Sequence, residues 1–184
     1  MTKVVTITGY KTYELGIFNS NDPAIGYIKL AIKKELLALV DEGLEWVLIS
    51  GQLGVELWAG EVVLELQEEH PHLQLAVLTP FFHQEERWKD HEKERYEWVT
   101  IHADFFESIS KKAYESPQQF RQKDILFLQK SDATIIVYDE EKEGSPKYFL
   151  NLAKVYKEKN PYEIRQISFY DLQMVVEEEQ FKHE

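Results

Sequence analysis

Short runs of β-branched and aliphatic residues alternate along this chain with longer stretches whose apolar positions recur every third or fourth residue. The first pattern predicts strands buried on both faces, the second amphipathic helices. Residues 3–8 (KVVTIT) read as a buried strand. Asp22-Pro23 supplies an N-cap followed by proline at the first helical position. Ile25, Ile28, Ile32, Leu36, Leu39 and Val40 then keep helical spacing until Gly43, a natural helix stop. A strand at 45–50 leads through Gly51-Gln52-Leu53-Gly54 into a second helix, with Val55, Trp58, Ala59, Val62 and Leu66 on one face, running to about His70 before Pro71. Further strands are predicted at 73–79, 104–109, 132–138 and 163–168. Helices are predicted at 91–103, from Ser116-Pro117 through Lys130, at 147–159, and as a short last helix from about Tyr170. Strand–helix alternation with nearly all-apolar strands specifies an α/β class: a three-layer, Rossmann-like domain with a mostly parallel sheet covered by helices on both faces.

The 184 residues correspond to one domain, 1–184, with residues 177–184 expected as a frayed acidic tail that opens on Glu177, Glu178 and Glu179. Asp and Glu outnumber Lys and Arg by 33 to 21, a formal charge of −12, which argues against nucleic acid or a polybasic membrane surface as partner. Cysteine is absent, so thiolate chemistry, disulfides and cysteine-ligated metals are excluded. No apolar stretch approaches the roughly 18 residues of a bilayer span, and the opening MTKVVTITGY is too short in apolar length for a secretory signal. The expectation is a cytoplasmic protein with no membrane insertion.

Open parallel sheets bind ligands beyond the carboxyl ends of their strands, and three such ends carry glycine-bearing loops. Gly9-Tyr10-Lys11 leaves the first strand. Ser50-Gly51-Gln52-Leu53-Gly54-Val55-Glu56 leaves the second and opens a helix directly. Glu143-Gly144-Ser145-Pro146-Lys147-Tyr148 follows strand 132–138. Glycines permit positive φ and close ligand approach, and a helix start offers free N–H groups to an anion. The ordinary alternatives are a tight turn for the second loop, simple capping by Ser145 and Pro146 for the third, and a solvated surface lysine for Lys11. The second loop is neither G-x-G-x-x-G nor a P-loop, and no G-x-S-x-G elbow is present. His70-Pro71-His72 lacks a third ligand, and His83, Glu85, Glu86 and His91 lack zincin spacing, so no metal site is assigned. Phe81, Phe82, Trp88, Tyr96 and Trp98 cluster in a polar segment, where an exposed subset would stack on a base or meet a partner.

Over nearly its whole length the chain resembles the YpsA family of Gram-positive bacteria. The resemblance rests on Ile7-Thr8-Gly9-Tyr10-Lys11, Glu14-Leu15-Gly16-Ile17-Phe18, Asp41-Glu42-Gly43-Leu44-Glu45-Trp46, the run Ser50 to Ala59, Tyr114-Glu115-Ser116-Pro117, and Glu143 to Tyr148. It implies membership of the SLOG superfamily of Rossmann-like domains, shared with the DNA-processing protein DprA and the cytokinin-activating LOG enzymes. It further implies a site for a nucleotide-derived ligand, ADP-ribose or an NAD-related molecule, with no required cofactor, and a link to bacterial cell division through a protein partner. Two departures stand out. LOG enzymes carry P-G-G-x-G-T-x-x-E, whereas Ser50 precedes Gly51 here, Val55 replaces the threonine and Trp58 occupies the glutamate position. DprA has one more loop residue and needs a basic face.

The candidate ligand-binding residues are therefore Gly9, Tyr10, Lys11, Ser50, Gly51, Gln52, Gly54, Glu56, Gly144, Ser145 and Lys147. Glu56 is also the candidate catalytic group, expected to face a sugar rather than a phosphate. Three functions stay open at this point: a ligand-binding regulator or sensor, a hydrolase of an N-glycosidic bond in a nucleotide-like substrate, and a purely structural interaction protein.

Overall fold

The computed structural model describes residues 1–183. Six parallel strands form one sheet in the order β4-β3-β2-β1-β5-β6: β1 Val4–Gly9, β2 Trp46–Ile49, β3 Gln74–Thr79, β4 Phe105–Ser108, β5 Ala133–Val137 and β6 Glu163–Ile167. Between and after them lie α1 Pro23–Asp41, α2 Val55–Leu66, α3 Asp90–His102, α4 Gln118–Lys130, α5 Pro146–Lys159 and α6 Phe169–Lys182. Helices α6, α1, α2 and α3 pack side by side in a row, while α4 packs on α5 and contacts β1. The result is the three-layer α/β arrangement that the alternating pattern demands.

The core is aliphatic and continuous. Every residue of β5 is buried, as are Val5, Ile7, Val47, Ile49, Leu75 and Val77 in its neighbours. Helix α1 begins as its sequence dictates: the Asp22 carboxylate accepts from Ala24 N–H at 2.9 Å, and Pro23 occupies the first position, where an N–H has no intrahelical partner. From β1 the chain steps outward through β2, β3 and β4, then crosses back through α4 to place β5 on the other side of β1. That reversal makes the β1/β5 seam the topological switch point, where the following loops diverge and leave a crevice. The register sets Thr8 beside Ile136 and Gly9 beside Val137, so both strands end at the same level.

Some expected boundaries shift. Helix α2 stops at Leu66, because the chain turns through Gln67–Glu69 ahead of Pro71. A 3-10 turn at Thr12–Leu15, not anticipated, follows β1. Ser116 does not cap α4; instead Gln119 Oε1 accepts from Glu115 and Ser116 N–H at 2.7 and 3.2 Å. The acidic tail is a correction of larger scale. Helix α6 runs fourteen residues to Lys182, packs on α1, and sets Glu178 against Lys34. Glu184 lies outside the described residues. Among these residues no helix is long and apolar enough to cross a membrane.

Candidate functional site

A cavity of about 720 Å³ opens at the ends of β1 and β2 and continues between α4 and α5. Its volume falls within the roughly 300–1,000 Å³ of small-molecule sites. One end is polar, formed by Thr8, Gly9, Lys11, Gln52 and Glu56. Helix α4 contributes Gln118, Phe120, Arg121, Lys123 and Asp124, and the start of α5 contributes Ser145 and Pro146. Further along α5, Tyr148, Leu152 and Val155 share one helical face and form an apolar wall.

Glu56 is the best-defined polar group in this cavity. It is only 5 % exposed, yet its carboxylate is well supplied with donors. Ser50 N–H and Ser50 Oγ both donate to Oε1, at 2.7 and 2.6 Å, and Thr8 Oγ1 donates to Oε2 at 3.1 Å. Three donors satisfy a charge that burial alone would make costly. Because they come from the ends of β1 and β2, the same carboxylate fastens both strands to the first turn of α2.

Five of the eleven sequence-predicted residues line the cavity: Gly9, Lys11, Gln52, Glu56 and Ser145. All but one of the others support it from behind. Tyr10 is fully buried; its hydroxyl accepts from Asp139 N–H at 2.8 Å and donates to the Lys142 carbonyl at 2.5 Å. Ser50 faces Glu56. Gly54 adopts φ +95, and a Cβ there would sit 2.6 Å from the Tyr10 carbonyl, so this glycine admits the β1 loop rather than a ligand. Gly51 also has positive φ, +77, and makes room for Gln84 and Tyr96. Gly144 lies against the Tyr10 ring and Glu14. Lys147 points away and pairs with Glu143 at 3.2 Å. Ser145 stands at the N-cap of α5 without capping it: its hydroxyl donates to Glu14 Oε1 at 2.6 Å, and its N–H to Glu14 Oε2 at 2.7 Å.

The amide cradle expected at the helix starts is largely filled by the protein itself. At α2, Val55 N–H donates to the Tyr10 carbonyl and Leu57 N–H to that of Gln52. At α5, Pro146 has no N–H, and Lys147 N–H donates to the Gly144 carbonyl. Attraction for an anion falls instead to side chains. Lys11 and Arg121 line the cavity and form no ion pair among the described residues, while Lys123 is held by Asp124 at 2.6 Å.

Several contributors escaped the sequence reading. Thr8 sits inside an apolar strand run, and Arg121, Lys123 and Asp124 come from a helix remote in sequence, with no motif to announce them. Glu14 is another. Burial acts to raise its pKa, but hydrogen bonds from Lys11 N–H and from Ser145 outweigh that and hold it below the ordinary glutamate value. No cluster of three or more metal-ligating side chains exists among the described residues.

The YpsA model, described as the YspA SLOG family, matches residues 5–172. The UPF0398 protein YpsA of Bacillus subtilis is 54% identical over 179 residues, covering 97% of this chain and 99% of that protein. A UPF0398 protein of Halalkalibacterium halodurans is 51% identical over 178 residues, covering 97% of this chain and 94% of that protein.

Proposed function

This chain belongs to the YpsA family of SLOG domains, and from that premise we propose that it is a cytoplasmic regulator or sensor that binds a nucleotide-derived ligand of the ADP-ribose or NAD type. One observation carries the reading: a single cavity combines a fixed carboxylate acceptor, Glu56, with two cations, Lys11 and Arg121, that form no ion pair among the described residues. A carboxylate repels phosphate but accepts from sugar hydroxyls, whereas the cations suit phosphate oxygens. The aromatic rings of Phe120 and Tyr148 offer faces for a base. A protein partner, in the cell-division setting that the resemblance implies, would respond to the occupied state.

Calorimetry with ADP-ribose and ADP tests the proposal. The Glu56→Gln protein stays folded, since the amide oxygen it introduces still accepts both Ser50 donors, and its affinity falls by about 1.5–3 kcal/mol, the range for a hydrogen bond to a charged group. Absence of binding by any adenine nucleotide or NAD derivative overturns the reading. Unchanged affinity in the variant returns Glu56 to a purely structural role.

A second reading, cleavage of an N-glycosidic bond in such a ligand, is favoured by the same fixed carboxylate. A preorganised anion stabilises an oxocarbenium-like transition state, and Glu56 is held by three donors before any ligand arrives. Release of free base, detected by mass spectrometry and lost in the Gln variant, is the outcome that selects it.

A further inference from the structure

Two glutamines, one lining the cavity and one behind it, form a relay whose polarity is forced. Gln84 Nε2 donates to the Ser50 backbone carbonyl at 2.8 Å. A carbonyl only accepts, so the Gln84 amide has one possible orientation and its oxygen must face the other way. There it accepts from Gln52 Nε2, again at 2.8 Å. The Gln52 amide is thereby oriented in turn, and its oxygen receives no donor among the described residues. Gln52 lines the cavity and Gln84 does not, so the relay delivers a carbonyl acceptor to the ligand side. Gly51 eases the packing of the relay: a Cβ there would lie 3.2 Å from Gln84 Nε2.

Ser50 is the hub of two arms. Its carbonyl orients Gln84 and hence Gln52, while its N–H and hydroxyl orient Glu56. Both arms end in acceptors at the polar end of one cavity. Glu56 Oε2 takes only the 3.1 Å bond from Thr8 and keeps acceptor capacity to spare. Two acceptors on neighbouring side chains match a group bearing two adjacent hydroxyl donors, while Lys11 at the same end is left for an anionic group of the ligand.

We infer that this end of the cavity recognises a vicinal diol, the 2′,3′-hydroxyls of a ribose, with Gln52 a specificity-determining residue and Gln84 a positioning residue acting through it. The inference rests on the nucleotide-ligand reading and adds to it a preference for ribose over deoxyribose.

Calorimetry with ADP, 2′-deoxy-ADP and 3′-deoxy-ADP provides the test. In the unaltered protein each deoxy analogue binds about tenfold more weakly than ADP, as loss of one hydrogen bond requires. In Gln52→Met one of the two penalties disappears, and the other, carried by Glu56, remains. Gln84→Met, which cannot donate to the Ser50 carbonyl, loses the same penalty for the same analogue. General loosening of the site would weaken all three ligands together and leave their ratios unchanged. Gln52 is only partly buried, so its variant remains folded even if loss of Gln84 unsettles the loop. Equal binding of ADP and both deoxy analogues overturns the diol assignment. Wild-type ratios in folded Gln84→Met overturn the relay. No binding of ADP, ADP-ribose or any NAD derivative is a distinct result, which removes the nucleotide premise itself.

Discussion

Gly54 shows how one residue joins two loops. Its φ of +95 lies where a Cβ costs about 1–2 kcal/mol, and the added carbon would meet the Tyr10 carbonyl at 2.6 Å and Lys11 Cα at 2.8 Å. Those atoms are backbone and cannot rotate aside. Gly54→Val is therefore expected to destabilise the fold by about 2–5 kcal/mol, combining torsional strain with overpacking. A lowered denaturation midpoint with no ligand present is the check. A variant as stable as the parent, but unable to bind, would restore the idea that this glycine makes way for a phosphate. Glu56 belongs to the same scale. Its position in the first turn of α2 suits the helix dipole, but the contacts that decide its orientation come from Ser50 and Thr8.

At the scale of elements, the Glu14 carboxylate ties the 3-10 turn after β1 to the start of α5 through Ser145. Its pKa is lowered in the folded protein, so its contribution to stability is present above the unfolded value of about 4.3 and is lost as pH falls through the lower folded value. Glu14→Gln removes that ionised partner. Urea melts should find the variant less stable than the parent near neutral pH, with the gap closing as pH falls below about 4. Partial exposure of the pair to solvent keeps the gap modest. A gap that does not vary with pH would mean that the clasp works without its charge. Helix α6 offers a second test. It is anchored on the core through the buried Val175, whereas its distal Glu178–Lys34 pair is exposed. Truncation after residue 176 should therefore cost no more than about 1 kcal/mol. A larger loss in thermal melts would show that the terminal turns are an integral part of the helical layer.

For the molecule as a whole, the charge of −12 sets long-range behaviour. The cavity cations Lys11 and Arg121 are local exceptions within an acidic surface, suited to a small anionic ligand and too few for a polymer. Fluorescence anisotropy with single-stranded oligonucleotides at physiological salt should find no sub-micromolar binding. Tight binding with a steep salt slope would contradict this. Strand β4 is one of the two edges of the sheet, with Phe105 and Phe106 half exposed and Glu107 paired to Lys111 beside them. A charge placed on a short edge strand discourages pairing with another sheet.

Local pattern alone determined the six strands, the six helices and their parallel arrangement, because short continuous apolar runs and period-3.6 burial leave different marks on the chain. It also placed Gly9, Lys11, Gln52, Glu56 and Ser145 at strand ends, where a parallel sheet gathers its loops. The helical tail was not legible. Its run of glutamates reads as solvated, and only packing against α1 gives α6 a reason to continue. Nor could the sequence assign Tyr10, Gly54 or Gly144 to the support of the site, because a glycine that admits a ligand and one that admits another loop are written alike. Arg121, Asp124 and Gln84 reach the site from segments 30 or more residues beyond the Gly51–Gly54 loop, brought there by the crossover to β5 and the packing of the loop after β3. Short-range periodicity specifies which face of an element is buried. Which polar groups then share a cavity depends on the order of strands in the sheet, a long-range property that only the folded molecule settles.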